Sequence, residues 1–180
     1  TIKLGWILGE MDHYYLSLKD PLKFSKNKEY TFSDNLNLNN FKSSPEILPI
    51  KDQEYYERRY LKHPVFKYKY LKIQNLIFIG RIVEYLGLKV FHVVDVVGDM
   101  KNIILKLSVF SFLKWEKIDL FEMMYYDSRS IDIDLNLKSE DEIIPTYFNP
   151  FENKNIKIEL SYQSDKNLPV RFFLGDGDQD

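Results

Sequence analysis

Two apolar runs that meet at a glycine-containing turn constrain this chain more than any other feature. Residues 76–99 read LIFIGRIVEYLGLKVFHVVDVVGD, and Val, Ile and Phe are frequent on both sides of Gly87. Branched and aromatic residues favour strands, and a glycine between two such runs is typical of a β-hairpin turn. The sequence therefore predicts that residues 76–99 form the central hairpin of a sheet.

The second run, residues 88–97, is apolar on both alternating faces, which predicts a strand covered on both sides. Only His92 and Asp95 interrupt it. Symmetric pairing about the turn places Arg81 opposite His92, and it places Asp95 opposite Phe78 on the other face. We therefore expect no His–Asp dyad. Each of the two polar groups needs either a hydrogen-bond partner or a cleft, because burial of an unpaired polar group is costly.

Composition excludes several classes of function. The 180 residues suffice for one well-buried core, and 44% hydrophobic with 16% aromatic content excludes global disorder. A net charge of -2 gives no basis for binding nucleic acid or an anionic membrane. No window reaches the ~20 apolar residues of a membrane span. The chain has no cysteine, no initiator Met and no signal-peptide pattern, so we interpret it as a cytoplasmic piece of a longer protein.

The chain divides into three parts by pattern. Residues 1–20 are strand-like, 21–45 form an Asn-, Ser- and Lys-rich linker, and 46–180 form the main domain. In the main domain we expect a helix after Asp52, a strand at 66–73, the hairpin, a helix from Met100 to Leu113, and a strand at 117–126 parallel to the second hairpin strand. Strands at 156–162 and 170–174 follow, and 128–137 remains open between helix and strand. The predicted fold class is α+β or α/β, with a mixed, mostly antiparallel sheet flanked by helices.

Few individual residues outside the hairpin are candidates for a catalytic, binding or metal site. Arg59 lies on the apolar side of the first helix, where a guanidinium could clamp a carboxylate or phosphate. His13 has no partner at metal-ligand spacing, and structural packing is the favoured interpretation. Asp176, Asp178 and Asp180 alternate as in the first half of a calcium loop, but the chain ends before the required Glu, so we expect a solvated acidic tail and no metal site. Nucleotide-binding glycine loops, GxSxG and HExxH are absent from the sequence.

Five stretches resemble the tandem GNAT-like (acyl-CoA N-acyltransferase fold) proteins encoded with bacterial surface-polysaccharide biosynthesis genes. They are LGWILGEMDHYYLSL (4–18), YYERRYLKHPVFKY (55–68), RIVEYLGLKVFHVVDVVGD (81–99), IIPTYFNPFENKNIKIEL (143–160) and GDGDQD (175–180). The resemblance implies that residues 1–20 are terminal strands of a preceding GNAT-like domain and that 46–180 form a second one. The N-terminal domain would then be a partner outside this chain. Linker aromatics could pack on that domain or on a second copy in a homodimer, and both alternatives stay open.

The resemblance also implies site residues. Such domains bind the pyrophosphate of acetyl-CoA or another acyl-CoA with a Q/R-x-x-G-x-G/A loop after the fourth strand, where this chain has VVGDMKNI, with Gly98 and the anionic Asp99. Asp99 would repel phosphate, which favours a non-catalytic module that binds a sugar or nucleotide-sugar or supports a partner domain. The alternative is an active N-acyltransferase for an amino sugar, with Asp95 as base and Tyr125 or Tyr126 as acid. Arg59, Arg81 and His92 are the candidate substrate-binding residues. A tRNA-dependent aminoacyl transferase is disfavoured by the near-neutral charge.

Overall fold

The computed structural model describes residues 6–22, 29–38, 46–145, 152–164 and 167–177. It has a mixed α+β architecture with a mostly antiparallel sheet of many strands. Its strands are β1 (Ile7–Glu10), β2 (Asp12–Ser17), β3 (Tyr30–Ser33), β4 (Lys69–Ile73), β5 (Leu76–Tyr85), β6 (Leu88–Val97), β7 (Leu120–Asp127), β8 (Asn136–Leu137), β9 (Glu159–Tyr162) and β10 (Arg171–Phe173). The helical elements are α1 (Gln53–Tyr56), which continues as a π-helical turn (Glu57–Leu61), α2 (Lys106–Glu116), and a 3₁₀ turn (Leu174–Asp176).

The principal sheet has the strand order β3-β4-β5-β6-β7-β2-β8. All neighbours in this order are antiparallel except β6 and β7, which run parallel. This parallel pair confirms the crossover that was predicted for the two strands on either side of the long helix. Strand β10 also pairs with β7, and β1 pairs with β9 in a separate two-stranded ribbon.

Apolar side chains cover both faces of the principal sheet. On one face, which we call the α2 face, Phe112 of α2 packs on Phe91 with ring centroids 5.3 Å apart. On the opposite face, which we call the tyrosine face, a second cluster is formed by Tyr56, Tyr60, Tyr68 and Tyr70 with Ile79, Val94 and Val97. The central strand β6 is therefore buried on both sides, as its continuous apolar run predicted.

The predicted hairpin is confirmed. Leu86 and Gly87 connect β5 to β6 with φ angles of 51° and 78°. Two successive positive φ angles are typical of the two-residue turns that match strand twist, and glycine adopts this conformation without a Cβ penalty. The predicted pairing of Arg81 with His92 is also confirmed.

The expected separation of His92 and Asp95 onto opposite faces is wrong. The register shifts between Ile79 and Gly80, which pair with Asp95 and Val93, so Val94 is an extra residue in β6. A β-bulge of this kind breaks the two-residue alternation of the strand. His92 and Asp95, three positions apart, consequently both lie on the tyrosine face.

Helix α2 begins later than the apolar pattern predicted. Residues 98–105 are not helical, and α2 starts at Lys106 instead of Met100. Asn102 has a φ angle of 61°, a left-handed conformation that a helix cannot contain. Residues 128–137, which the sequence left open, form neither a helix nor a long strand, because only Asn136 and Leu137 pair with β2.

The N-terminal third of the chain contributes directly to the principal sheet. Strand β2 lies between β7 and β8, so residues 12–17 share one sheet with the hairpin. The described part of 21–45 contains β3, which pairs with β4 and forms an edge of that sheet, whereas the sequence suggested a linker throughout. Within the described ranges, no helix is long and apolar enough to cross a membrane.

Candidate functional site

A buried ionic network on the tyrosine face is the strongest candidate for a functional site. The Lys51 Nζ lies 2.8 Å from both carboxylate oxygens of Asp95, and it also donates to Asp176 Oδ2 at 2.9 Å. Tyr60 donates its hydroxyl to Asp95 Oδ2 at 2.9 Å, and Tyr55 donates to Asp176 Oδ1 at 3.3 Å. We call these five residues the Lys51 network. A single ammonium group here serves two carboxylates.

The electrostatics of the Lys51 network follow from its burial. Asp95 is fully buried, and burial raises the pKa of its carboxyl group although Lys51 opposes the shift. Its oxygens are surrounded by donors, since Val96 N–H also donates to Asp95 Oδ1 at 2.8 Å. Burial and the nearby Asp95 carboxylate raise the pKa of Tyr60 far above its ordinary value, so that hydroxyl stays protonated. Tyr60 is therefore a neutral hydrogen-bond donor to the Asp95 carboxyl group.

Local structure explains how each member reaches this network. The predicted N-cap is confirmed, because Asp52 Oδ1 accepts the Tyr55 N–H at 2.7 Å, and this fixes the start of α1 directly after Lys51. The bulge at Val94 directs Asp95 to the same face. Sequence reasoning missed Lys51, and no local signal marked it. It singled out Asp176, but as part of an acidic tail; Asp178 and Asp180 lie outside the described residues.

The C-terminal segment fills a gap between the two parallel strands. β6 and β7 are paired only from Val90/Leu120 to Val93/Met123. Beyond this point β10 pairs with β7 instead, with Phe173 opposite Tyr125. Gly175 lies against the bulge, so close that a Cβ at this position would be 2.7 Å from the Val94 carbonyl oxygen. The chain itself thus occupies the space that opens where β6 and β7 diverge.

Replacing Gly175 by alanine should destabilise the protein by about 1–3 kcal/mol, because the added methyl group would overlap the Val94 carbonyl and the Tyr60 hydroxyl. Chemical denaturation measures this effect. Gly177→Ala is the matched control, since its Cβ would be 3.6 Å from the nearest atom outside its chain neighbours, an ordinary contact. Equal stability of the two variants would show that the segment does not pack tightly in the gap.

A cleft opens beside Asp176. It has a volume of about 410 Å³. Its lining residues are Met11, Ile158, Glu159, Leu160, Ser161, Phe172, Leu174, Asp176 and Gly177. At its rim, Arg59 donates Nη2 to the Gly177 carbonyl at 3.0 Å, so the residue predicted as an anion clamp contacts the backbone of the C-terminal segment. Asp176 therefore links the cleft to the Lys51 network.

A second buried network crosses the strands on the same face. Glu122 is fully buried, and its two oxygens contact His13 Nε2 at 2.8 Å and His92 Nδ1. Arg81 lies opposite His92 in β5, and its guanidinium carbon is 4.2 Å from the Phe66 ring centroid. The His13 Nδ1 and Arg81 Nε atoms are buried without a hydrogen-bond partner among the described residues. His13 and His92 thus share one carboxylate, a partnership that the sequence did not reveal.

Both histidines of this second network are held neutral. Burial, with a smaller contribution from Lys138, lowers the pKa of His13 to about 4. Burial, followed by the charges of Arg81 and His13, lowers the pKa of His92 to about 3. One carboxylate can balance one positive charge, and Arg81 already supplies a positive charge nearby. Neutral imidazoles that donate N–H groups to Glu122 therefore describe the network better than two ion pairs do.

The remaining predicted site residues lie apart from Asp95. Tyr125 belongs to the core of the α2 face and donates its hydroxyl to Asp127 at 2.7 Å, whereas Asp95 faces the other side of the sheet. Tyr126 lies on the face opposite Tyr125, and its hydroxyl is 3.3 Å from that of Tyr162. The structure therefore does not bring either tyrosine into hydrogen-bond contact with Asp95.

The junction between β6 and α2 is occupied by ion pairs of the protein itself. Both oxygens of Asp99 accept hydrogen bonds from Arg129, each at 3.0 Å. Burial alone would raise the pKa of Asp99, but Arg129 outweighs it and the pKa lies below the ordinary value. Gly98 offers its carbonyl, which accepts Arg171 Nη1 at 2.6 Å. At the start of α2, Asp134 Oδ2 accepts the N–H groups of Leu105 and Lys106 at 2.9 and 3.0 Å.

No group of three or more metal-ligating side chains that could hold an ion is found among the residues that the structure describes. Comparisons with protein-family models, with curated proteins and with solved structures find no match for this chain.

Proposed function

We propose that this chain is a GNAT-like module of an acyltransferase system in surface-polysaccharide biosynthesis, and that it serves acceptor binding or structural support instead of acyl-CoA binding. The element order supports the proposed fold: a short helix, three antiparallel strands, the long helix α2, and then a strand parallel to the last of the three. The sequence resemblance further implies a preceding GNAT-like domain outside this chain.

The observation that carries the proposal is the filled gap between β6 and β7. A GNAT domain that binds acyl-CoA needs an open slot where its fourth and fifth strands diverge, and in the proposed fold β6 and β7 take the place of those strands. They do diverge after Val93 and Met123, but Phe173 and Gly175 occupy the space. Lys51 and Arg59 hold this segment through Asp176 and the Gly177 carbonyl. An extended pantetheine chain would have to displace it.

The start of α2 supports the same conclusion. In the acyl-CoA-binding GNAT domains that this chain resembles, the helix after the fourth strand donates backbone N–H groups to the pyrophosphate of the cofactor. Here the N–H groups of Leu105 and Lys106 already donate to the Asp134 carboxylate. Asp99 adds a second carboxylate to the junction, and its partner Arg129 is occupied by Asp99 and Asp127. A diphosphate at this junction would be repelled by the carboxylates of Asp99 and Asp134, and it would find few N–H groups that are not already hydrogen-bonded.

One observation favours the alternative of an active N-acyltransferase. The buried Asp95 carboxyl group has a raised pKa, which is typical of a general base. Its oxygens, however, accept from Lys51, Tyr60 and the Val96 N–H, so a substrate amine would have to replace one of these donors. The alternative therefore requires a rearrangement of the Lys51 network.

Calorimetric titration with acetyl-CoA, combined with a thiol-release assay on amino sugars, tests the proposal. We expect no saturable binding at millimolar acetyl-CoA and no thiol release above the uncatalysed rate. The chain contains no cysteine, so the protein itself adds no thiol signal. Micromolar binding, or thiol release that Asp95→Asn abolishes while circular dichroism stays unchanged, would contradict the proposal and establish the enzyme.

A further inference from the structure

The cleft beside Asp176 has the size and the wall composition of a small-molecule site. Its volume of about 410 Å³ lies within the ~300–1,000 Å³ range of ligand pockets. Five apolar side chains line it: Met11, Ile158, Leu160, Phe172 and Leu174. Such walls favour an apolar ring or chain, and the few polar groups among them decide the orientation of the ligand.

The charged side chains that line the cleft favour the binding of a cation. Asp176 and Glu159 contribute carboxylates to the lining, and none of the described lining residues carries a positive charge. The nearest cations on the C-terminal segment are already engaged, because Lys51 bonds to two carboxylates and Arg59 to the Gly177 carbonyl. Both oxygens of Asp176 are already engaged, because Oδ1 contacts Lys51 and Tyr55 and Oδ2 accepts from Lys51 and from the Phe173 N–H at 2.9 Å. The exposed Glu159 therefore supplies the accessible carboxylate of the cleft.

The β1–β9 ribbon adds to this negative potential. Glu10 lies directly opposite Glu159 in the register of the two strands, and like charges in this position destabilise a sheet. Lys157 reaches Glu10 at 3.3 Å. Burial, with a smaller contribution from the charge of Glu10, raises the pKa of Asp12. A bound cation would relieve this repulsion.

We propose that the cleft binds a small molecule with a primary ammonium group on an apolar ring or chain. The ammonium group pairs with the exposed Glu159 carboxylate, and the apolar part lies against Phe172 and Leu160. The C-terminal segment that fills the gap between β6 and β7 also forms one wall of this site. Binding of an amine here does not involve acyl-CoA, so the inference goes beyond the proposed function.

Cyclohexylamine and cyclohexanol are matched probes, because they differ in the charged group while the ring stays the same. Titration of the whole chain, followed by ¹⁵N–¹H NMR, should show saturable shifts for residues 158–161 and 172–177 with the amine. Cyclohexanol should bind at least about tenfold more weakly, which corresponds to ~1.4 kcal/mol. Equal affinity for the two probes, or no saturable shifts at these residues with the amine, would overturn the proposal.

Two pairs of variants test the charge directly. Ser161 is exposed at the lining, so Ser161→Lys adds a cation without disturbing the core, and Ser161→Gln is its neutral control. The lysine variant should lose amine binding and the glutamine variant should keep it. Glu159→Gln should weaken binding about fivefold, whereas Glu84→Gln, at the hairpin turn, should not. Indistinguishable affinities within both pairs would place the amine elsewhere and refute the site.

Discussion

Lys51→Met should lower the free energy of unfolding by about 3–5 kcal/mol, because it leaves the buried Asp95 and Asp176 carboxylates without their shared ammonium group. Methionine is unbranched and of similar length but carries no charge, so the effect reports mainly the lost ammonium group. Urea denaturation followed by far-UV circular dichroism measures it as a shift in the midpoint at unchanged slope.

Lys62→Met is the matched control for this result. Lys62 is 70% exposed and lies 3.7 Å from Glu57, a pair of the kind that contributes little to stability. It should change the free energy of unfolding by less than about 0.5 kcal/mol. Adding Asp95→Asn and Asp176→Asn to Lys51→Met should recover part of the loss, since amides need no counterion. If Lys51→Met were no more destabilising than Lys62→Met, the Lys51 network would not be closed in solution.

The second large effect is a loss of stability as the pH falls from about 6.5 towards 4. An unfolded histidine has a pKa near ~6.5, whereas the folded values are about 4 for His13 and about 3 for His92. Between these values the unfolded state binds more protons, so acidification favours unfolding. At pH ~4 the loss should be on the order of 3 kcal/mol for each histidine, or about 6 kcal/mol for the two together, measured by urea denaturation across this range.

The double variant His13→Gln, His92→Asn isolates this contribution. Glutamine at 13 and asparagine at 92 place an amide where Nε2 and Nδ1 contact Glu122, but neither side chain titrates in this range. The variant should be less stable at pH 7 and should show a clearly shallower decline between pH 6.5 and 4. A decline as steep as that of the wild type would assign the acid sensitivity to carboxylates and would show that the histidines are not held neutral.

The sequence determined the elements whose signals are local. The hairpin at residues 76–97, its turn and the N-cap at Asp52 each follow from a short run of residues, because backbone preference and alternating burial act over a few positions. The parallel course of β6 and β7 followed from the helix between them. The sequence did not predict the late start of α2 or the presence of strand β3. Both depend on residues that are distant along the chain: the Asp134 carboxylate accepts N–H groups at the start of α2, and β4 is the partner strand of β3.

Only the tertiary structure determined which side chains come together in the candidate site. Asp95 was visible as a polar residue in an apolar strand, but its face depended on one extra residue in the pairing with β5, which no period in the sequence encodes. Its partner Lys51 is 44 residues away, and Asp176 lies 125 residues from Lys51. Burying a charge makes pairing necessary without specifying the partner, so only the packing of the π-helical turn and the C-terminal segment on the sheet could bring these three residues together.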